Sequence, residues 1–362
     1  MSRRGFRIAL SIVLATLVVL GVAGAWAGME IARYPERRHP GSGQKVSVTI
    51  ARGSKFPQVV QALQEAGIID RPSWFRLYAM HRGLANKVRA GTYEIADDLP
   101  PREVLDLLVA GAPEIDVAVT IPEGRNLREV FAVLGEAGIA SAAEMEQVAR
   151  DPAFLKEQGI EGETAEGYLF PDTYRLKKPT PARKVVETLI RQHRIVYEEL
   201  AKQNAKTLAR WKKELGWGDR EVVVLASIVE KETGVPEERP RVASVFYNRL
   251  TLPGFPSRRL ETDPTIRYGC TIPLEKSEAC RKWDPAGRLF RAQLDDVDNP
   301  YNTYQHPGLP PGPIANPGRA ALAATMGPES SQYLYFVAKD DRSHVFSKTY
   351  EEHARWVQKY QK

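Results

Sequence analysis

Apolar and polar positions divide the chain into one long apolar segment near the N-terminus and a series of shorter, patterned segments after it. From Ile8 to Gly28 about 21 consecutive residues carry no charge, which is long enough for one helix to cross a bilayer. The rest of the chain has no second segment of this kind. The arginines within residues 1–7 favour a cytoplasmic N-terminus, so we predict that everything after the span lies outside the cytoplasm. The small residues at 23–28 resemble a cleavage site, so the segment could instead be a signal peptide that is removed. The length of the apolar run favours an anchor that is not cleaved.

Residues 29–44 are rich in Pro, Gly and charge and predict a linker. An internal repeat follows, in which VTIARGSKFPQVVQALQEAGI begins at Val48 and VTIPEGRNLREVFAVLGEAGI begins at Val119. Each copy predicts a strand, a glycine turn and a helix that a glycine ends. We therefore predict an α+β protein with modules at 45–113 and 114–180 and a larger α+β domain at 181–362.

The first module continues with a helix at Arg71–His81, a strand at Ala90–Ile95 and a helix at Pro101–Val109. This strand–helix–helix–strand order resembles the LysM domain, a small module that binds polymers of N-acetylglucosamine. A purely structural spacer would have the same pattern, and the sequence leaves both interpretations open.

Composition adds little to this picture. The 362 residues are 43% hydrophobic and 27% charged, and 51 Lys and Arg against 45 Asp and Glu give a net charge of +6. Such a charge is compatible with an anionic partner and equally with ordinary solubility. The two cysteines, Cys270 and Cys280, favour a small disulfide loop in an oxidising compartment. We predict no metal site there, because no histidine lies nearby in sequence and two thiolates are too few ligands for zinc.

The stretch LASIVEKETG at 225–234 places two glutamates in an apolar helical pattern. Leu225, Ile228 and Val229 share one helical face with Glu232, whereas Glu230 projects from another side, toward solvent or another element. Burial disfavours an ionised carboxyl and raises its pKa, so this pattern predicts that Glu232 stays protonated and can act as a general acid. An exposed helix end, or a pair between Glu232 and an arginine, is the alternative.

Several longer motifs narrow these alternatives. These motifs are the glutamate stretch, EERPRVASVFYNRL, ETDPTIRYG, YNTYQHPGLPPGPIANPG, YLYFVAK, SHVFSKTYEEH and EGYLFPDTY. Together with the repeat and the predicted anchor, they closely resemble the endolytic murein transglycosylases of the MltG (YceG-like) family. They also occur in the order found in that family. In that family the second glutamate of the E-K-E triplet is catalytic, which implies Glu232 here. The resemblance implies cleavage of the β-1,4 bond between N-acetylmuramic acid and N-acetylglucosamine without water, leaving 1,6-anhydro ends and ending strand growth. It also implies a site on the outer side of a bacterial inner membrane.

Further site residues are expected around Glu232. The cluster Tyr301, Asn302, Thr303 and Tyr304 offers hydroxyls, an amide and rings for sugar contacts, with a packed tyrosine strand as the alternative. The family motifs also contain four residues that could orient Glu232 or substrate: Glu238, Asn248, Arg249 and Asp263. The alternative is that Glu238 or Asp263 forms a buried ion pair with an arginine. His344 and His353 are expected to pack or to cap rather than to catalyse.

The expected partners are peptidoglycan strands, the membrane and peptidoglycan synthases of the penicillin-binding class, with no nucleic acid, cofactor or metal. Two rival functions remain open. A muramidase-type hydrolase would need a second carboxylate, for which Glu166, Asp263 or Glu261 are candidates; relatives typically carry Gln at position 261. In a non-catalytic scaffold that binds glycan, Glu232 would have no function, and a carboxyl on an apolar face would only destabilise the fold.

Overall fold

The computed structural model describes residues 28–51, 53–112, 115–341 and 343–361, and it divides between residues 114 and 115 into two compact units. The predicted membrane span at 8–28 lies outside the described residues, apart from Gly28. Within the described ranges, no helix is long and apolar enough to cross a membrane.

The first unit contains the predicted strand–helix–helix–strand order. Strands β1 (Lys45–Ile50) and β2 (Gly91–Ala96) pair antiparallel, and helices α1 (Phe56–Glu65), α2 (Pro72–His81) and α3 (Pro101–Ala110) complete the unit. Alternate strand residues point inward, since successive side chains of a strand face opposite sides. These inward residues are Val48, Ile50, Tyr93 and Ile95, all buried in one apolar core. The order is what the sequence predicts, but order alone assigns no glycan-binding role.

The predicted linker at 29–44 is partly docked on this unit. Tyr34 is 4% exposed within the first core, and its hydroxyl donates a hydrogen bond to the carbonyl of Arg71. The side chain of Asp97 accepts hydrogen bonds from the backbone N–H groups of Gly43 and Gln44. The segment therefore has fixed contacts that its polar composition did not indicate.

The second unit consists mainly of helices, with two short antiparallel sheets. Strands β3 (Ile115–Thr120) and β4 (Thr173–Lys178) form one sheet, and β5 (Tyr335–Ala338) and β6 (His344–Ser347) form the other. The helices, in chain order, are α4 (Leu127–Glu136), α5 (Ala142–Ala149), α6 (Pro152–Glu157), α7 (Ala182–Gln203), α8 (Ala205–Leu215), α9 (Asp219–Glu232), α10 (Arg239–Thr251), α11 (Asp263–Thr271), α12 (Glu278–Arg281), α13 (Arg291–Leu294), α14 (Arg319–Met326) and α15 (Tyr350–Tyr360). The described chain is thus a mixed α+β protein, as predicted.

The internal repeat is visible in three dimensions. In each copy a six-residue strand leads through a glycine turn into a ten-residue helix, β1 to α1 and β3 to α4. The turn glycines Gly53 and Gly124 have φ of +84° and +72°, and the glycines just after the helices, Gly67 and Gly138, have +73° and +70°. Glycine is the residue that adopts this left-handed backbone without a steric penalty, which explains why both copies carry it.

Residues 115–362 form one compact unit. One core joins side chains of the second repeat copy, such as Val119, Leu127 and Leu134, to Leu225 and Ile228 of α9. The charged stretch from Ala182 to Leu215 forms two helices, α7 and α8, which meet at Asn204. The amide of Asn204 donates a hydrogen bond to the carbonyl of Leu200 while its backbone departs from helical geometry, which is how Asn commonly interrupts helices. Cys270 and Cys280 form the disulfide that the sequence favours.

Candidate active site

Helix α9 carries the two glutamates and is buried along most of its length. Asp219 and Glu221 lie in its first turn, where negative charge stabilises a helix, and Glu221 accepts a hydrogen bond from the N–H of Gly218. All residues from Val222 to Val229 are buried. Glu232 is the last helical residue, because the next residue, Thr233, has extended backbone angles. The apolar sequence therefore buries the helix up to its last turn, where Glu232 is partly exposed as a residue although its Oε1 is buried.

One carboxyl oxygen of Glu232 is buried without a hydrogen-bond partner among the described residues. Its Oε1 is sealed from solvent and accepts no hydrogen bond from the described residues. Burial raises the pKa of Glu232; Thr262, Arg249 and His344 oppose that rise, and Asp263 adds to it. A buried polar group without a partner costs about 1–3 kcal/mol, and a protonated carboxyl carries less of this penalty than a carboxylate. These observations bear out the predicted burial of Glu232 and the direction of its pKa shift.

Glu230 is buried as well, contrary to the prediction that burial distinguishes the two carboxyls. Only 6% of its side chain is exposed, and burial raises its pKa too. Its Oε2 accepts a hydrogen bond from the N–H of Gly318 at 3.0 Å, and its Oε1 lies 3.3 Å from Nη2 of Arg239. Both oxygens are thus engaged. What distinguishes Glu232 from Glu230 is the absence of a partner at Oε1, rather than burial.

A network of three threonines holds the segment facing Glu232. The N–H of Thr262 donates to Oγ1 of Thr303 at 3.1 Å, and Oγ1 of Thr265 donates to the carbonyl of Thr262 at 2.7 Å. The hydroxyls of Thr265 and Thr303 are 2.9 Å apart, and all three residues are buried. Thr303, predicted to contact sugar, therefore has a supporting role in the structure.

Tyr304 and Asp263 lie on the open side of this network. The Tyr304 hydroxyl donates to Oδ1 of Asp263 at 3.0 Å, and the exposed Asp263 begins helix α11. Burial and the charges of Asp263, Glu232 and Glu261 raise the pKa of Tyr304 above its usual range. The predicted residues Tyr304 and Asp263 are thus near Glu232, which makes them the better placed of the predicted contacts.

Arg249 and Asn248 tie the same region to strand β5. Arg249 is buried and donates from Nε to the carbonyl of Leu334 at 2.7 Å and from Nη1 to the carbonyl of Leu260 at 2.6 Å. Its Nη1 also lies 3.5 Å from Oε2 of Glu261. Asn248 donates to the carbonyls of Ser331 and Tyr333, each at 3.0 Å. Asn248 is therefore a structural tie, while the Arg249 charge reaches Glu232.

Glu238 binds His344 through two hydrogen bonds. Its Oε1 accepts from the backbone N–H of His344 at 2.9 Å, and its Oε2 lies 2.6 Å from Nδ1 of the same residue. The side chains are 9% exposed for His344 and 13% for Glu238. His344 is near enough to act on the pKa of Glu232. A packing role was expected for His344, so sequence reasoning missed its place beside Glu232.

Tyr301 and Asn302 do not share this site. Asn302 is fully buried, and its amide donates to the carbonyls of Gln293, Leu294 and Asp296. Tyr301 lines a separate cavity of about 1070 Å³, together with Tyr268, whose ring centroid is 4.9 Å away. Glu232 is not among the residues that line this cavity. The predicted cluster at 301–304 therefore divides, and only Tyr304 faces Glu232.

Of the candidates for a second catalytic carboxylate, Glu166 is placed as a structural group. It is 1% exposed, and its oxygens accept from the N–H of Leu127 at 3.0 Å and the amide of Asn316 at 2.7 Å. Burial raises its pKa to about 8. Among the described residues, no three His, Cys, Asp or Glu side chains are grouped to hold a metal ion.

Sequence reasoning missed Thr262 as a neighbour of Glu232, although it stands directly before the Asp263-Pro264 pair that begins a helix. That position is a signal for an N-cap threonine, which would place the residue at a helix end. The local sequence does not indicate which distant side chain the Thr262 hydroxyl contacts.

The chain is similar to several known proteins. A family model described as the YceG-like family matches residues 48–359. The chain is 28% identical over 330 residues to a Bacillus subtilis protein named endolytic murein transglycosylase, covering 87% of this chain and 84% of the relative. It is 26% identical to a Streptococcus pneumoniae protein of the same name, covering 87% of this chain and 58% of the relative.

A solved structure also resembles the chain. It is that of a yceG-like protein from Listeria monocytogenes, which is 27% identical and matches with a TM-score of 0.54. The match covers 87% of this chain and the whole of that one. The family model spans most of the sequence and both units, and the buried glutamate site lies within it. This chain belongs to the YceG-like family.

Proposed function

We propose that this chain is an endolytic peptidoglycan lytic transglycosylase in which Glu232 serves as both acid and base. The observation that carries the proposal is the Glu232 Oε1, which is buried, unpartnered and attached to a carboxyl whose pKa burial raises. The family membership and the names of the relatives support the substrate class.

In the first step, the Glu232 carboxyl donates its proton to the glycosidic oxygen between N-acetylmuramic acid and N-acetylglucosamine. The bond from C1 of the muramic acid to that oxygen breaks, and the N-acetylglucosamine end leaves with its new hydroxyl. A general acid must be protonated at working pH, and the raised pKa of Glu232 favours that form.

In the second step, the muramic acid 6-hydroxyl attacks C1 and the Glu232 carboxylate takes the hydroxyl proton. A 1,6-anhydro ring forms, Glu232 is protonated again and no water is consumed. One carboxyl suffices because the substrate supplies the nucleophile, and that hydroxyl is already tethered to the reacting ring. Tyr304 and Asp263 lie beside the site and are the best placed contacts for sugar hydroxyls.

One observation favours a second candidate, a muramidase-type hydrolase. The Asp263 carboxylate acts on the pKa of Glu232 and is exposed, so it could hold a water molecule opposite the general acid. Glu261 is tied to Arg249 and Glu166 is buried, which leaves them less suited to that task. The two functions differ in the ends they create, anhydro rings or reducing sugars.

The setting of the reaction is also part of the proposal. The apolar run at 8–28 anchors the chain in the inner membrane, with the described units on the extracytoplasmic side, where the Cys270–Cys280 disulfide would be stable. Cuts within nascent strands would end their elongation, with peptidoglycan synthases as working partners. The first unit, with its LysM-like order, would hold glycan.

The experiment is mass spectrometry of glycan strands digested by the full-length protein in detergent, beside Glu232→Gln. Glu237→Gln is the matched control, because Glu237 is a nearby glutamate with an exposed side chain. We expect internal fragments with anhydro ends from the wild type and the control, and a loss of at least about 10³-fold in Glu232→Gln, the scale typical of removing a catalytic group. Reducing ends would favour the hydrolase, and unchanged cleavage by Glu232→Gln would refute both.

A further inference from the structure

Oε1 of Glu232 and Oγ1 of Thr262 are both buried, and neither has a hydrogen-bond partner of ordinary distance and angle among the described residues. The two side chains are neighbours, because the Thr262 hydroxyl is close enough to the Glu232 carboxyl to act on it as a hydrogen-bonding group. We propose that Thr262 is a positioning residue whose hydroxyl donates to the Glu232 carboxylate after Glu232 has released its proton. This inference rests on the proposed function, since it assigns Thr262 a part in the second half of that reaction. The hydroxyl would keep the carboxylate in place as the base that receives the proton of the 6-hydroxyl.

The main chain of Thr262 is fixed, which leaves its hydroxyl as the polar group still available. Its N–H is bound to Oγ1 of Thr303, and its carbonyl accepts from Oγ1 of Thr265. A residue held at both backbone groups presents its side chain in one direction, as a positioning role requires.

The side chain of Thr262 does not cap the helix that follows it. Thr262 is the N-cap of helix α11, where a threonine hydroxyl ordinarily accepts a hydrogen bond from an N–H of the first turn. In this structure the Thr262 side chain makes no capping bond. The hydroxyl is thus free of the helix, and it lies close enough to the Glu232 carboxyl to oppose the effect of burial on the pKa of that group.

A neutral hydroxyl suits a residue that alternates between acid and base. It can donate to a carboxylate, and it can rotate away when the carboxyl is protonated and must aim its proton at the leaving oxygen. A hydrogen bond to an ionised acceptor is about twice as strong as one between neutral groups, so the hydroxyl would favour the carboxylate form most.

The charged or titratable groups that face Glu232 already have partners of their own. His344 is bound by Glu238, Arg249 by two carbonyls and Glu261, and the Tyr304 hydroxyl by Asp263. Of the neighbours that act on the Glu232 carboxyl, Thr262 is thus the one with a hydroxyl still free to donate to it.

The test compares three variants of the full-length protein. Thr262→Val keeps the shape of the side chain and removes the hydroxyl, and Thr262→Ser restores it. Thr325→Val is the matched control, because Thr325 is also a buried threonine without a hydrogen-bond partner at its hydroxyl but belongs to helix α14. The readouts are kcat and KM of strand cleavage against pH, and the pKa of Glu232 from ¹³C NMR of its carboxyl without substrate.

We expect Thr262→Val to lower kcat by about tenfold to a hundredfold, somewhat less than the loss of a full oxyanion donor, with KM nearly unchanged. The pKa of Glu232 should rise because its carboxylate loses a donor, so the fall in activity with increasing pH moves to higher pH. Thr262→Ser should recover most of both properties, and Thr325→Val should resemble the wild type.

An unchanged Glu232 pKa and kcat in Thr262→Val would overturn the inference, and so would a Thr262→Ser variant no better than Thr262→Val. The NMR readout needs no turnover, so it separates this inference from the proposed function. If Glu232→Gln still cleaves strands, the proposed function fails, and the catalytic part assigned to Thr262 fails with it whatever the NMR shows.

Discussion

Nδ1 of His344 lies 2.6 Å from Oε2 of Glu238, and the backbone N–H of His344 binds the other oxygen of the same carboxylate. One carboxylate therefore fixes both the ring and the main chain of a residue that is 106 positions away. Because the charge of His344 lowers the pKa of Glu232, Glu238 orients a residue that acts on the candidate catalytic carboxyl.

Glu238→Gln should lower strand cleavage by about fivefold to tenfold. The change replaces a charged acceptor by a neutral one, and hydrogen bonds to charged groups are worth roughly 1 kcal/mol more than neutral ones. The measurement is kcat at fixed pH, with the exposed neighbour Glu237→Gln as the control. Equal activity of Glu238→Gln and the control would show that the pair has no influence on the reaction.

Glu230→Ala should destabilise the fold. Arg239 would lose its partner at 3.3 Å, and the two side chains are only 6% and 10% exposed, so a buried guanidinium would be left with only the longer contact of 3.8 Å to Glu123. Breaking a buried pair costs about 3 kcal/mol or more. Urea denaturation measures the free energy of unfolding, with Glu237→Ala for comparison, and a difference below about 1 kcal/mol would mean that the pair is unimportant.

Glu166 should make stability depend on pH. Its pKa is about 8 in the folded chain against an ordinary value of 4.5, so the folded state binds this proton more tightly than the unfolded state does. Its contribution to stability is complete below about pH 4.5 and is lost as the pH rises toward 8.

We therefore expect Glu166→Gln, whose amide does not ionise, to unfold with a weaker decline in free energy between about pH 5 and 8 than the wild type. The measurement is urea denaturation at several pH values. Glu163→Gln changes an exposed neighbour and should follow the wild type. Parallel pH curves for all three proteins would contradict the assignment of the proton to Glu166.

The local parts of the fold and site were predictable because short-range rules control them. The period of 3.6 placed Glu232 with Leu225, Ile228 and Val229, and the glycines of the repeat marked where its helices begin and end. The three elements of the first unit whose bounds were predicted, α2, β2 and α3, lie within one residue of those bounds.

The remaining features depend on contacts between distant segments, which no local pattern reports. Glu230 is buried because Gly318, 88 residues away, binds its Oε2. Tyr301 and Tyr304 face different surroundings because Asn302, between them, is fixed by three carbonyls of the preceding segment. Their proximity in sequence predicted that Tyr301 and Tyr304 lie in one cluster, whereas the packing of the loop places them in two different sites.

The two repeat copies have the same strand–turn–helix form but pack against different partners. The copy at β1 and α1 lies in the core of the first unit, whereas the copy at β3 and α4 shares its core with α9. An exchange of the second copy for the first would therefore change the apolar surface that supports α9 and displace Glu232. The same local form is thus a general building block in one unit and part of the support of a catalytic group in the other.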